Sequence, residues 1–180
     1  MGHRILYIPK LVESDIVLVI NNTGAIAVSS WSSSGGYAIA NGQEFILTGY
    51  VKKVTLKFDT PQGSPNFNIR AKIYEGSVAN DNYALSSSTL LGSSTNTVAA
   101  SSANGYVTFD FNNIYCNGNL KSVVFIFEDI VTHNSINYIK TLIEGSNPYA
   151  DGTRLSCAAT ANWFSSSIYD LHMNITYSLT

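Results

Sequence analysis

Tyr169-Asp170-Leu171-His172-Met173-Asn174-Ile175-Thr176-Tyr177, close to the C-terminus, alternates without interruption. Leu171, Met173, Ile175 and Tyr177 fall on one face, and Asp170, His172, Asn174 and Thr176 on the other. A period of two marks a half-buried strand, because successive side chains of an extended chain point to opposite sides. Upstream, Asn147-Pro148-Tyr149-Ala150-Asp151-Gly152-Thr153 contains Asn-Pro and Asp-Gly, both breakers of regular structure. A small-residue stretch and Trp163 lie between. The C-terminal third therefore reads as a turn cluster, an aromatic residue and a closing β-strand.

The same period recurs toward the N-terminus. Val54, Leu56 and Phe58 alternate with Lys53, Thr55 and Lys57; Ile69, Ala71 and Ile73 with Arg70, Lys72 and Tyr74; Val107, Phe109 and Phe111 with Tyr106, Thr108 and Asp110. These apolar sets, with Val123, Phe125, Phe127, Leu171, Met173 and Ile175, are the predicted core. Val123 to Phe127 is apolar on both faces, which predicts a central strand covered on both sides. Turn-rich stretches intervene at Asp59 to Pro65, Asn80-Asp81-Asn82 and Asn117-Gly118-Asn119, and Ser86 to Ala103 reads as a strand plus mobile loops. No segment carries a helical stripe of useful length. The expected fold is all-β, an antiparallel jelly-roll β-sandwich over residues 37–180.

Residues 1–36 differ from the rest and read as an N-terminal arm or edge extension. The aliphatic run Ile16 to Ile20 ends in the turn sequence Asn21-Asn22-Thr23-Gly24, and Ser29 to Gly36 is low-complexity around Trp31. An exposed aliphatic strand recruits partners, so Leu11, Ile16, Leu18 and Ile20 are the candidate assembly residues. The competing reading makes this segment the first strands of the same sandwich.

Composition narrows the function classes. Of 180 residues, 45% are hydrophobic and only 12% charged, half the roughly 25% of an ordinary soluble domain. The surface is therefore built from Ser, Thr, Asn, Gly and Tyr, as on extracellular and virion proteins. A net charge of -2 lacks the basic footprint of nucleic-acid binding. The longest aliphatic run is too short to span a bilayer. Arg4 and Lys10 are not followed by an apolar stretch and cleavage site, so no secretory leader is read. Cys116 and Cys157 fit no metal spacing and read as two free thiols, with a disulfide as the alternative.

The order of segments has a likeness. Gln43-Glu44-Phe45 leads to Thr48-Gly49-Tyr50-Val51, a lysine-flanked strand, Asn68 to Glu75, Val107 to Phe111, Val123 to Phe127, Asn147 to Gly152, and Trp163 before Asp170-Leu171. Over residues 37–178 this resembles the jelly-roll β-sandwich modules, similar to carbohydrate-binding modules, of secreted bacterial proteins and phage structural proteins. The resemblance implies a non-catalytic module and supplies no fixed ligand residues.

Catalytic signatures are missing from the sequence. His3, His133 and His172 fit no zinc motif, and there is no nucleophile elbow or phosphate-binding loop. His172, on the polar face of its strand, reads as a surface residue. No enzyme activity and no cofactor are expected. Glu128-Asp129 and Asp151, at predicted strand ends, are where such modules hold a structural Ca2+; their plainer reading is as solvated loop caps. Among the loop aromatics Trp31, Tyr37, Tyr83, Tyr149 and Trp163, the residues Tyr149, Asp151, Arg154 and Trp163 make a sugar-binding set if their loops converge. The alternative makes Tyr149 and Trp163 plugs over the core. The function expected is a structural or adhesive module of a phage particle (capsid decoration, head-fibre or tail-associated), partnered by other virion proteins or copies of itself. The alternative is a secreted or cell-surface carbohydrate-binding or adhesion module facing a glycan.

Overall fold

The computed structural model describes residues 14–20, 27–31, 38–79, 81, 85–127, 137–145, 149–158 and 163–180. Two strands organise it. β3 (Ala38–Phe58, 21 residues) and β7 (Gly105–Phe127, 23 residues) pair antiparallel from Asn41↔Phe125 to Phe58↔Gly105. The register slips between Ile46 and Thr48 and between Val51 and Lys53. At the second slip the inward set of β3 changes parity, from Phe45, Leu47 and Val51 to Val54, Leu56 and Phe58, and the apolar face is kept.

The extra residues at both slips lie on β7. Asn113 (φ 49°) sits in one and Gly118 (φ 83°) in the other. Asn117-Gly118-Asn119, expected as a turn between two strands, is thus a bend inside one strand. Glycine takes the left-handed conformation without steric cost, so pairing resumes at Leu120 against Ile46. On β3, Gly49 (φ 141°) marks the same bend, and a Cβ there would lie 2.4 Å from the Ser178 carbonyl oxygen.

The bend makes a sandwich out of one continuous ribbon. Phe109 and Phe125 belong to the same strand, yet their ring centroids are 5.3 Å apart. On a straight strand they would be separated by about 50 Å. One half of the ribbon is extended by β9 (Arg154–Ala158) and β10 (Trp163–Ser166) on the β3 side. On the β7 side it is extended by β4 (Asn68–Glu75), β5 (Leu90–Ser93) and β6 (Val98–Ala99). The other half is extended from β3 by β12 (Met173–Ser178) and then β1 (Ile16–Val19). β8 (Ile139–Gly145) joins at the end of β3 and carries β2 (Ala27–Trp31) and β11 (Tyr169–Leu171). A 3-10 turn at Ala100–Ser102 is the one helical element among the described residues. The fold is an all-β antiparallel sandwich; a single parallel contact joins β2 to β3 at Trp31↔Ala38.

The main core lies between the two halves and holds the predicted inward residues apart from Phe127, whose side chain lies outside those described, with Val107 partly buried against it. A second cluster covers the outer face of the first half: Ala40, Tyr74, Val78, Leu85, Val124, Leu155, Cys157 and Trp163. This explains a strand apolar on both faces, because Val123 and Phe125 point into the main core and Val124 into the second.

At the N-terminus, β1 pairs with β12 from Ile16↔Tyr177 to Val19↔Asn174. Ile20 enters the main core and Leu18 packs against it, while Val17 and Val19 are 52% and 41% exposed. The described parts of residues 1–36 therefore pair within the chain's own sheet, β1 with β12 and β2 with β8 and β3. Leu11 lies outside the described residues.

The Phe109–Phe125 contact is the seam of the sandwich. Replacing either residue by Ala is expected to lower unfolding stability by about 3–5 kcal/mol. Urea denaturation checks this; an unchanged midpoint would mean that the two halves are not stacked through these rings.

Candidate functional site

The central strand β3 presents a backbone edge between Gln43, where β9 leaves it, and Tyr50, where β12 joins. The loop before β9 fills that gap. Glu44 N donates to Thr153 O at 2.9 Å. Ile46 N donates to the Tyr149 hydroxyl at 2.9 Å, and that hydroxyl donates to Ile46 O at 3.2 Å. Tyr149 thus stands in for a strand at this part of the β3 edge. Its own N–H donates to Asp170 Oδ2 at 2.8 Å, while Gln43 Nε2 donates to Asp170 Oδ1 at 2.8 Å and Leu171 N to Gln43 Oε1 at 2.9 Å. Gly152 is where the loop lies flat on β3: a Cβ there would meet the Glu44 carbonyl oxygen at 2.2 Å.

Of the four predicted ligand residues, the structure gathers Tyr149 and Arg154 at this edge. Arg154 Nη2 donates to Asn41 Oδ1 at 2.9 Å, and burial pulls its pKa down, with Tyr169 opposing. Asp151 is exposed in the turn beside them. Trp163 lies elsewhere. It is fully buried in the second cluster, opposite Cys157, while Ser166 opposes Arg154. Its ring offers no face to a ligand, and the four residues do not form one site. Tyr37, Tyr83, His133, Glu128 and Asp129 lie outside the described residues. Among the described residues, no three His, Cys, Asp or Glu side chains converge to hold a metal.

The expectation of a surface His172 needs correction. The closing segment is two strands, β11 on β8 and β12 on β3, with His172 at the bend between them. Its N–H donates to Leu142 O, and its carbonyl accepts from Lys57 N. The ring is 2% exposed, covered by Tyr106, whose hydroxyl lies 2.8 Å from Nε2. Asp170, on the same nominally polar face, is also buried. Alternation placed both residues on one side, but the switch of partner strands encloses that side as well.

A cleft of about 290 Å³ opens at the β4–β5 loop, lined by Glu75, Ser77, Ala79, Asp81, Ser87, Ser88 and Thr89. Ser87 and Ser88 hydroxyls donate to the two Asp81 carboxylate oxygens at 2.7 and 2.6 Å. Glu75 Oε1 accepts from the buried Lys121 ammonium at 2.8 Å. Beneath the cleft, Asp81 O accepts from Trp163 N at 2.8 Å, and the Tyr74 hydroxyl is pushed up by burial and by Asp81. Leu85, in the same loop, has φ 53° and is buried in the second cluster. A leucine in the left-handed region costs on the order of 1–2 kcal/mol and persists only where packing imposes it. Sequence reading took these segments as a turn and a mobile serine-rich stretch; the cleft exists only once their two ends meet across β4 and β5.

The thiols point away from nucleophilic chemistry. Burial pushes Cys116 up to about 11, with Lys121 partly opposing, and Cys157 up to about 12. A cysteine nucleophile needs the opposite shift.

No family model matches the chain, and no curated protein matches it. A solved structure that it does match is the crystal structure of the cysteine protease and lectin-like domains of Cwp84, a surface layer associated protein of Clostridium difficile. The TM-score is 0.59 at 9% identity, over 92% of this chain and 36% of that one. The chain thus spans about a third of its neighbour's length, and at this identity the likeness is one of fold.

Two outcomes follow from the site geometry. Tyr149→Phe should cost about 1 kcal/mol in thermal unfolding, because water can reach the freed Ile46 groups; a loss above about 3 kcal/mol would mean that the hydroxyl does more. Burial, and then Lys57, hold His172 below its ordinary pKa, against an opposing pull from Glu144. The unfolded chain then binds a proton that the folded chain refuses. The stability contribution is complete above about pH 6.5 and is lost as pH falls toward the folded pKa. Asp170, raised chiefly by burial, acts with the opposite sign: its contribution is present in acid and lost as pH rises through its raised pKa. Between pH 7.5 and about 5 the His172→Gln variant should therefore lose less thermal stability, or gain more, than the wild type. An unchanged slope in the variant would remove His172 as the cause.

Proposed function

We propose that this chain is a non-catalytic, lectin-like carbohydrate-binding module of a secreted or cell-surface protein, and that the β4–β5 cleft receives the sugar. The cleft carries the reading. Its lining is two carboxylates and four hydroxyl-bearing residues, the groups that bond sugar hydroxyls, and its volume suits a small polar ligand. Leu85 supports it, since backbone strain of this kind gathers at binding sites. The fold likeness to a structure with a lectin-like domain agrees with it, and the matched 36% of that chain suits one of its two named domains. The raised thiols speak against the cysteine-protease alternative.

Low charge, the feature that suggested a phage particle, suits an extracellular surface equally well. The likeness to a surface layer associated protein favours the cell-surface reading. Attachment to copies of itself or to another surface protein would use β1, whose outward Val17 and Val19 flank an edge that no other described strand covers.

Glycan-array screening followed by titration calorimetry tests the assignment. The wild-type chain is expected to retain a glycan, and the Ser87→Ala/Thr89→Ala double variant, at two exposed lining residues, to lose at least about tenfold in affinity with little change in melting temperature. Absence of any bound glycan, or equal binding by the double variant, would overturn it.

A further inference from the structure

We infer that Tyr50 and Tyr115 form a second glycan contact, a stacking platform on the outer surface of the bend. The two residues are cross-strand partners on β3 and β7. Gly49 and Val51 on one strand, and Cys116 on the other, are buried, so Tyr50 and Tyr115 point outward. Their ring centroids are 5.1 Å apart with planes tilted by 45°, so Tyr115, 55% exposed, offers the open face. The informative feature is the pair, two adjacent rings forming one patch rather than a lone exposed aromatic.

The surroundings match the chemistry of a pyranose, apolar on its faces and hydroxylated at its rim. The adjacent outward pair on the same strands is Thr48 and Asn117. Asn117 Oδ1 accepts from Lys121 Nζ at 2.8 Å and from Asn119 N at 3.3 Å, which leaves its amide NH2 as the donor for a ligand. On the other side, exposed Asn112 and Asn113 occupy the bulge, Asn113 in the left-handed region. A sugar ring stacked on Tyr115 would find hydroxyl and carboxamide partners on both sides.

The platform rests on the lectin-like reading and extends it to ligand length. Lys121, which binds both Asn117 and the cleft residue Glu75, lies six residues along β7 from Tyr115. That is at most about 20 Å. An oligosaccharide seated in the cleft can therefore reach the platform, whereas a single sugar cannot occupy both. The ligand class is an extended polysaccharide rather than a terminal monosaccharide.

Calorimetry with a mono- or disaccharide and a longer oligosaccharide of the same repeat, taken from the array hit, tests this in the full chain. Affinity is expected to rise with length in the wild type. Tyr115→Ala and Tyr115→Leu should remove about tenfold from the longer ligand only, and Tyr115→Phe should keep it. Ring-proton shifts of Tyr115 on adding the oligosaccharide should accompany binding. Equal affinity for short and long ligands, or an unaffected Tyr115→Leu variant that has merely lost stability, would overturn the platform and leave the cleft standing. A wild-type chain that binds no glycan at all would overturn both.

Discussion

The pairing of β3 with β7 through a shared bend is the constraint on which this molecule depends. Each strand is long enough to cross the domain twice, and their ladder survives two slips in register. An unpaired stretch at the crossing would leave buried backbone groups without partners, each costing on the order of 1–3 kcal/mol. The chain avoids this by placing the surplus residues on β7, where Asn113 and Gly118 absorb them in left-handed conformations. Both halves of the sandwich then grow outward from the same ribbon, and Phe109 meets Phe125 across the core.

Several residues whose chemistry invites a functional reading are consumed by this architecture. Tyr149, Gln43 and Asp170 complete the edge of β3 where no described strand covers it. Lys121, buried at the bend, links β7 to the end of β4 through Glu75 and bonds the Asn117 side chain and the Asn119 carbonyl. Buried polar groups of this kind are tolerated only when hydrogen-bonded, and here their partners are backbone and side-chain groups at the irregular parts of the sheet. Polarity inside this sandwich marks where the ladder is interrupted.

The surface tells a different story. With so few charges, hydroxyls, carboxamides and tyrosines must mediate whatever the domain binds. The β4–β5 cleft and the Tyr50–Tyr115 pair are built from those groups. Both also lie beside residues in unusual backbone conformations, Leu85 and Asn113. Charge steering plays little part in recognition of this kind, so affinity is expected to depend weakly on salt.

Alternation alone determined the all-β class, the inward residues of β4, β12, the second half of β3 and the two ends of β7, and the doubly covered C-terminal end of β7. Period two is a local property that survives into the fold wherever one face meets a core. It failed at particular places for identifiable reasons. Asn117-Gly118-Asn119 has the composition of a turn, but whether such a tripeptide reverses the chain or only bends it depends on the pairing of its neighbours. His172 and Asp170 alternate as surface residues, yet the change of partner strand between β11 and β12 covers them. Trp163 and Tyr149 are aromatic neighbours of turns in the sequence; only the packing of β9 and β10 sends one into a second core and the other to a strand edge. The cleft joins residues from two ends of a loop, and the tyrosine platform joins residues from two strands. No linear spacing encodes such meetings, because they depend on register and on the bend, which long-range pairing sets.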